Sequence, residues 1–127
     1  MNSLSDVLVR EGATLRETLE CITKSGKQLA LVVDAGGRLL GLATDGDLRK
    51  AILRGVSLDA PVDQAMNRSP QVAAPGLAPG AALALMRRRA IRQLPVVDAD
   101  LLSGRDVRHV LGEQLRGQSP KFEALTP

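Results

Sequence analysis

The segment Leu31-Val32-Val33-Asp34 recurs as Pro95-Val96-Val97-Asp98, 64 positions later. A repeat of this length constrains the chain more than any other feature, because each copy is a supersecondary unit too small to bury its apolar face alone. In the first copy, Leu15, Leu19 and Ile22 fall at i, i+4 and i+7, one stripe of an amphipathic helix. Thr14 followed by Glu17 reads as a capping box, so the helix starts near residue 15, and Gly26 ends it. Leu29 to Val33 is an apolar run of strand length, Asp34-Ala35-Gly36-Gly37 is turn chemistry, and Leu39 to Ala43 is a second apolar run. Thr44-Asp45-Gly46-Asp47 then opens a helix through Leu48, Ile52 and Leu53 that stops at Gly55. The order is helix, strand, strand, helix.

Between the copies, Pro61 suits the first turn of a short helix carrying Val62, Ala65 and Met66, and Ser69-Pro70 breaks it. The second copy has Ala82, Leu83 and Met86 on one helical face, Arg87-Arg88-Arg89 near the helix end, and a strand from Leu94 to Val97. There the copies diverge. Val33 to Thr44 is 11 positions, whereas Val97 to Ser103 is 6, so five residues are missing from the second hairpin. At the reduced offset of 59, Thr44, Asp47, Leu48 and Ile52 fall on Ser103, Asp106, Val107 and Leu111, which predicts a second helix opening at Ser103. Asp98-Ala99-Asp100 is left to turn the chain tightly into Leu101-Leu102. A shortened second strand would expose a sheet edge, for which a covering partner chain is expected.

Composition narrows the function classes. The 127 residues are 44% hydrophobic and 24% charged, as in a packed globule. Phe122 is the sole aromatic residue, so the core is aliphatic and base stacking on aromatic rings, the usual single-strand nucleic-acid platform, is excluded. Residues 1–63 carry 8 basic and 9 acidic side chains, residues 64–127 carry 9 and 5, and the second half therefore favours an anionic ligand or partner. Cys21 is the sole cysteine, the opening MNSLSDVLVR lacks the apolar core of a signal peptide, and His109 is the sole histidine. No internal disulfide, no multi-histidine metal site, no membrane span and a cytoplasmic location are the expectations.

Two copies of helix, strand, strand, helix, each with a Val-Val-Asp strand end, together with Gly41-Leu42-Ala43-Thr44-Asp45-Gly46-Asp47, resemble a tandem pair of CBS domains, also called a Bateman module. The resemblance covers residues 4 to 116. Leu48 to Gly55 and Met66 to Pro70 look like the CBS pair that precedes sugar-nucleotide nucleotidyltransferase domains, although the glycine-rich signature of those transferases is absent here. The resemblance implies an α+β fold of two pseudo-twofold-related repeats, residues 1–60 and 61–116, the second with its shortened hairpin, and a tail over 117–127. It implies clefts for adenosine-containing ligands, with AMP, ADP or ATP as the ligand, no required cofactor and no metal. By the family pattern the Asp binds ribose hydroxyls and the Thr or Ser contacts phosphate, which carries over to Asp47 with Thr44 and to Asp106 with Ser103. Backbone at Leu94 and Pro95 would contact the base.

Elementary chemistry supports these roles in part. A carboxylate accepts two hydrogen bonds from a diol, and a helix start with a hydroxyl beside it favours phosphate. Yet Thr44-x-x-Asp47 and Ser103-x-x-Asp106 are also near-capping boxes, and that purely structural role stays open. Asp45-Gly46-Asp47 and Asp98-Ala99-Asp100 read as turn and cap residues, since neither extends into a calcium loop. Arg87, Arg88, Arg89 and Arg92 suit phosphates, an acidic partner or a solvated face. Cys21 reads as a small core residue and Ser103 has no base in its copy, so no catalytic residues are expected and the chain reads as no enzyme in itself. Three roles follow: a regulatory adenine-nucleotide-binding module; a scaffold that homodimerises through faces around Leu48, Ile52, Val107 and Leu111; or the sensor part of a nucleotidyltransferase-type enzyme whose catalytic domain is fused or acts in trans. Nucleic acid is not an expected partner.

Overall fold

The computed structural model describes residues 4–74, 76–100, 104–116 and 119–125. The chain divides into two compact units, one of Ser5–Pro70 and one containing Gln71 onward.

In the first unit, β1 (Leu8–Arg10) leads to α1 (Leu15–Ser25), β2 (Leu29–Val33), β3 (Leu39–Thr44) and α2 (Asp45–Leu53). The α1 start is the expected capping box: Thr14 Oγ1 accepts from the Glu17 N–H at 3.0 Å, and the Glu17 carboxylate accepts from the Thr14 N–H at 3.3 Å. Gly26 closes the helix at φ 70°, a left-handed cap that glycine adopts without strain. Strand β2 is central, parallel to β1 and antiparallel to β3, and all five of its residues are buried. A continuous apolar run suits a strand covered on both faces. Its ladder with β3 slips by one residue between Val32 and Val33. Leu15, Ile22, Ala30, Val32, Leu48 and Val62 form the heart of the core, to which Met66 contributes.

The stretch after α2 closes this unit. The Leu15 and Arg16 N–H groups, left without partners at the start of α1, donate to the carbonyls of Ala60 and Leu58 at 3.0 Å each. Leu42 and Asn67 exchange backbone hydrogen bonds of 2.9 and 2.8 Å. Residues 61–70, which the repeat places at the head of the second copy, are thus folded into the first unit.

In the second unit, α3 (Pro79–Arg89) lies 64 positions from α1 at both ends. The offset also relates the buried positions: Thr18 and Ile22 correspond to Ala82 and Met86, and Ala30 and Val32 to Leu94 and Val96. The parallel pair Val9↔Val32 reappears as the bridge Ala73↔Val96. Even the ladder slip between Val32 and Val33 recurs between Val96 and Val97 in β4 (Gln93–Asp100).

Beyond that point the structure corrects the expectation. Gly104–Arg116 is a strand, β5, and not a helix opening at Ser103; β6 (Ser119–Leu125) pairs along it to make a sheet ordered β4-β5-β6. In the first unit Leu29, Ala30, Leu31 and Val32 face Thr44, Ala43, Leu42 and Gly41. Their counterparts Gln93, Leu94, Pro95 and Val96 face Gly112, Leu111, Val110 and His109. Residues 109–112 therefore take the place that 41–44 hold, at an offset of 68 where the motif alignment demands 59. The physical cause is the deletion. With the second strand lost, the N–H and C=O groups of β4 need an antiparallel partner, and the segment Gly104–Arg116 provides it. The expectation that a partner chain covers this edge is corrected likewise, since β5 of the same chain pairs with it. Helices and strands together make the fold α+β, as expected.

Candidate functional site

The Thr44–Asp47 step stands where β3 runs into α2. Thr44 is extended, at φ −99° and ψ 166°, and caps the helix. The Asp47 N–H donates to Thr44 Oγ1 at 3.1 Å, and the Thr44 N–H donates to Asp47 Oδ2 at 3.0 Å. The two residues that the family pattern assigns to phosphate and ribose are brought together, and they cap each other. All four residues of the step are half-buried. The Thr44 hydroxyl accepts one bond and retains its own O–H to donate, while the second carboxylate oxygen of Asp47 adds acceptor capacity beyond the cap. The step can thus cap the helix and still present a donor and an acceptor outward. On its first turn Asp45 pairs with Arg49 one turn later.

The other expected residues fare differently. Ser103 lies outside the described residues. Asp106 is in β5, paired in register with Asp98 near the end of the β4–β5 ladder. Its expected place three residues into a helix, facing back toward a helix start, is corrected. Leu94 is fully buried in the second core. Pro95 is buried too, has no N–H, and its carbonyl accepts from the Ala73 N–H at 2.9 Å, so its main chain is engaged in the sheet.

Two further residues take on a role in the folded structure. Gln28 adopts φ 68°, left-handed for a residue with a side chain, and its carbonyl accepts from the Asp45 N–H at 3.3 Å at the first residue of α2. No local sequence signal marks it. Gly41, by contrast, was visible as the first residue of the Gly-Leu-Ala-Thr-Asp-Gly-Asp motif. A Cβ there would lie 2.6 Å from Met66 Sδ and 2.9 Å from the Asn67 carbonyl oxygen, so this glycine lets the 61–70 segment lie flat against β3.

The remaining candidates have structural explanations. The Cys21 thiol donates to the Asp6 carbonyl at 3.3 Å, and burial, with Asp6 adding to it, pushes its pKa up and away from reactivity. Asp34 Oδ1 accepts from the Gly36 and Arg38 N–H groups at 2.8 and 3.0 Å, and these bonds, that from Arg38 foremost, hold its carboxyl below the usual range. Leu48 is fully buried in the first core, and Val107 and Leu111 lie on β5, so three of the four residues expected on helical dimer faces are placed otherwise. Among the described residues no His, Cys, Asp and Glu side chains cluster as a metal site, and no helix is long and apolar enough to cross a membrane.

The CBS domain family model matches residues 3–54 and 61–105. The arabinose 5-phosphate isomerase KdsD of Pseudomonas aeruginosa is 36% identical over 90 residues, which is 70% of this chain and 28% of the isomerase. The chain spans less than a third of the length of the curated relatives it matches. Among solved structures, a CBS domain protein of Pyrobaculum aerophilum complexed with AMP superposes with a TM-score of 0.71 at 24% identity, covering 88% of this chain and 87% of that one. The CBS domain pair of protein MJ0100, in complex with 5'-methylthioadenosine and S-adenosyl-L-methionine, superposes with a TM-score of 0.71 at 19% identity, covering 88% and 89%. Two matched segments, a helix-capping Thr-x-x-Asp step behind a buried hairpin and a second copy in register as far as its bulge all agree: the chain belongs to the CBS domain family, as a CBS pair.

Proposed function

We propose that the chain is a regulatory, non-catalytic module that binds an adenine nucleotide, AMP, ADP or ATP, with Thr44 and Asp47 as its principal contacts. The observation that carries this reading is the Thr44–Asp47 step itself, which caps α2 while keeping a hydroxyl donor and a carboxylate oxygen available. Adenosyl ligands in two solved CBS neighbours support the ligand class. The relatives' length and name support a regulated partner that is a sugar-phosphate enzyme, fused or in trans.

Thermal shift with AMP, ADP, ATP, S-adenosylmethionine and GTP tests the reading, followed with an extrinsic dye because the chain lacks Trp and Tyr. Ligand at about 100 times its Kd adds about 2.7 kcal/mol to the folded state, a shift of several degrees. Asp47→Asn keeps an acceptor for the Thr44 N–H and removes the charge, so loss of the shift with the fold intact would locate the site. No shift and no calorimetric heat at millimolar nucleotide would refute the reading.

A second role, homodimerisation, is favoured by α2, where Ile52 is 38% and Leu53 80% exposed. Neighbouring exposed apolar side chains at a helix end suit a contact with a second copy. Sedimentation of the wild type and of Leu53→Glu tests it, with a monomeric variant and a dimeric wild type as the expected result.

A further inference from the structure

We propose that the end of α3 is a docking surface for an acidic segment of a partner protein, held by Arg88, Arg89 and Arg92. The proposal rests on the reading of the chain as a regulatory module with a protein partner.

Residues 64–97 contain no Asp or Glu and five arginines, at 68, 87, 88, 89 and 92. Arg88, Arg89 and Arg92 are exposed. Among the described residues none of the three takes part in an ion pair, whereas in the first unit Arg16 pairs with Asp59 and Arg49 with Asp45. The comparison between copies sharpens the point. At the offset of 64, positions 87, 88, 89 and 92 correspond to Thr23, Lys24, Ser25 and Gln28, so one cation in the first copy becomes four in the second. The face of α1 mixes Arg16, Glu17, Glu20 and Lys24, while α3 carries arginines alone.

Helix polarity accounts for only part of this, since Arg87, Arg88 and Arg89 stand in the last turn of α3 and Arg92 does not. Cations oppose the macrodipole favourably only in the last turn, and Arg92 lies beyond the C-cap at Ala90. Solubility would be served as well by mixed charges. Planar guanidinium forks, in contrast, match carboxylates two hydrogen bonds at a time.

The choice of protein over nucleic acid follows from reach. Five consecutive positions extend at most about 18 Å, enough for only a few phosphates, and affinity for nucleic acid grows with the number neutralised. The chain has no aromatic side chain in this unit before Phe122, and its net charge is only +3. In the isomerase relatives more than two thirds of the polypeptide lies outside the matched module, so a protein surface is the neighbour such a module has.

The test uses a fluorescein-labelled deca-glutamate peptide and a short DNA duplex as probes in anisotropy titrations of the full chain, at about 20 and 150 mM salt. The expected result is peptide binding that Arg88→Glu/Arg89→Glu weakens at least tenfold and Arg88→Gln/Arg89→Gln weakens less, while Lys24→Glu on α1 leaves it unchanged. Far-UV circular dichroism confirms that each variant keeps its helices. Binding unaffected by both double variants, equal loss in Lys24→Glu, or tighter binding of the duplex through the same arginines would overturn the proposal. Nucleotide thermal shift on the same variants separates the two readings: an intact shift without peptide binding removes the docking surface alone, and peptide binding without any shift removes nucleotide sensing alone.

Discussion

The two copies share helix bounds, several buried positions and the ladder register as far as the slip after Val32 and Val96, and then become different structures. In the first, a turn of Asp34 to Gly37 lets Leu39–Thr44 return along β2, and Thr44 launches α2. In the second, the returning strand is supplied by Gly104–Arg116, and the helix is gone. Five missing residues decide between a helix and a strand because they decide which segment reaches the unpaired edge of β4. Capping chemistry at Thr-x-x-Asp or Ser-x-x-Asp contributes about 1 kcal/mol, whereas leaving a strand's worth of backbone groups unpaired costs several times that.

The comparison is broken most directly by restoring the missing turn. Inserting a copy of Asp34 to Arg38 between Asp100 and Leu101, which restores the five missing residues, should return the segment after Ser103 to a helix. Its signature is a gain in far-UV helical signal comparable to the nine residues of α2. An unchanged spectrum would assign the strand to the composition of residues 104–116 instead.

A smaller effect separates the two aspartates. Asp47→Ala removes half of a capping box and should destabilise by about 1 kcal/mol, a fall in Tm of roughly 4 °C. Asp106→Ala removes no helix cap and should stay within about 0.5 kcal/mol. Equal losses in urea unfolding would argue for a helix at Asp106.

The helix ends offer the next contrast. Gly26 closes α1 at φ 70°, and its counterpart Ala90 closes α3 at φ 55°. Ala90→Gly should relieve a left-handed alanine and stabilise by up to about 1 kcal/mol, while Gly26→Ala should destabilise by a similar amount. Tm values for both variants check this; a loss of stability in Ala90→Gly would contradict the left-handed cap.

The smallest effect is on pH dependence. The folded state lowers the Asp34 carboxyl pKa, so the stabilisation it brings is present above its unfolded pKa and is lost as pH falls through the lowered one. Asp34→Asn should therefore differ most from wild type at neutral pH and converge with it in acid, as followed by thermal melts across that range.

Much of this was legible locally. Thr14 with Glu17, Gly26 after Ser25, the turn at Asp34 to Gly37 and Thr44 with Asp47 each act within a few residues, and each stands where expected. The buried stripe of α1 at Leu15 and Ile22, with Leu19 half-buried, follows from helical spacing. What sequence reasoning missed depends on distant partners. The left-handed Gln28 is held by Asp45, and the close packing at Gly41 is set by Met66 and Asn67.

By itself, the sequence determined that the chain is made of two related halves with aliphatic cores, and where the first half's helices and hairpin begin and end, because periodicity, caps and turns are written in neighbouring residues. Only the tertiary structure decided the second half's closing element. Ser103-x-x-Asp106 carries the same local signal as Thr44-x-x-Asp47, yet residues 104–116 pair with β4 as a strand. A helix satisfies its own backbone, but it cannot satisfy that of a neighbouring strand, and the need of β4 for a partner outweighs the preference of the segment that follows it.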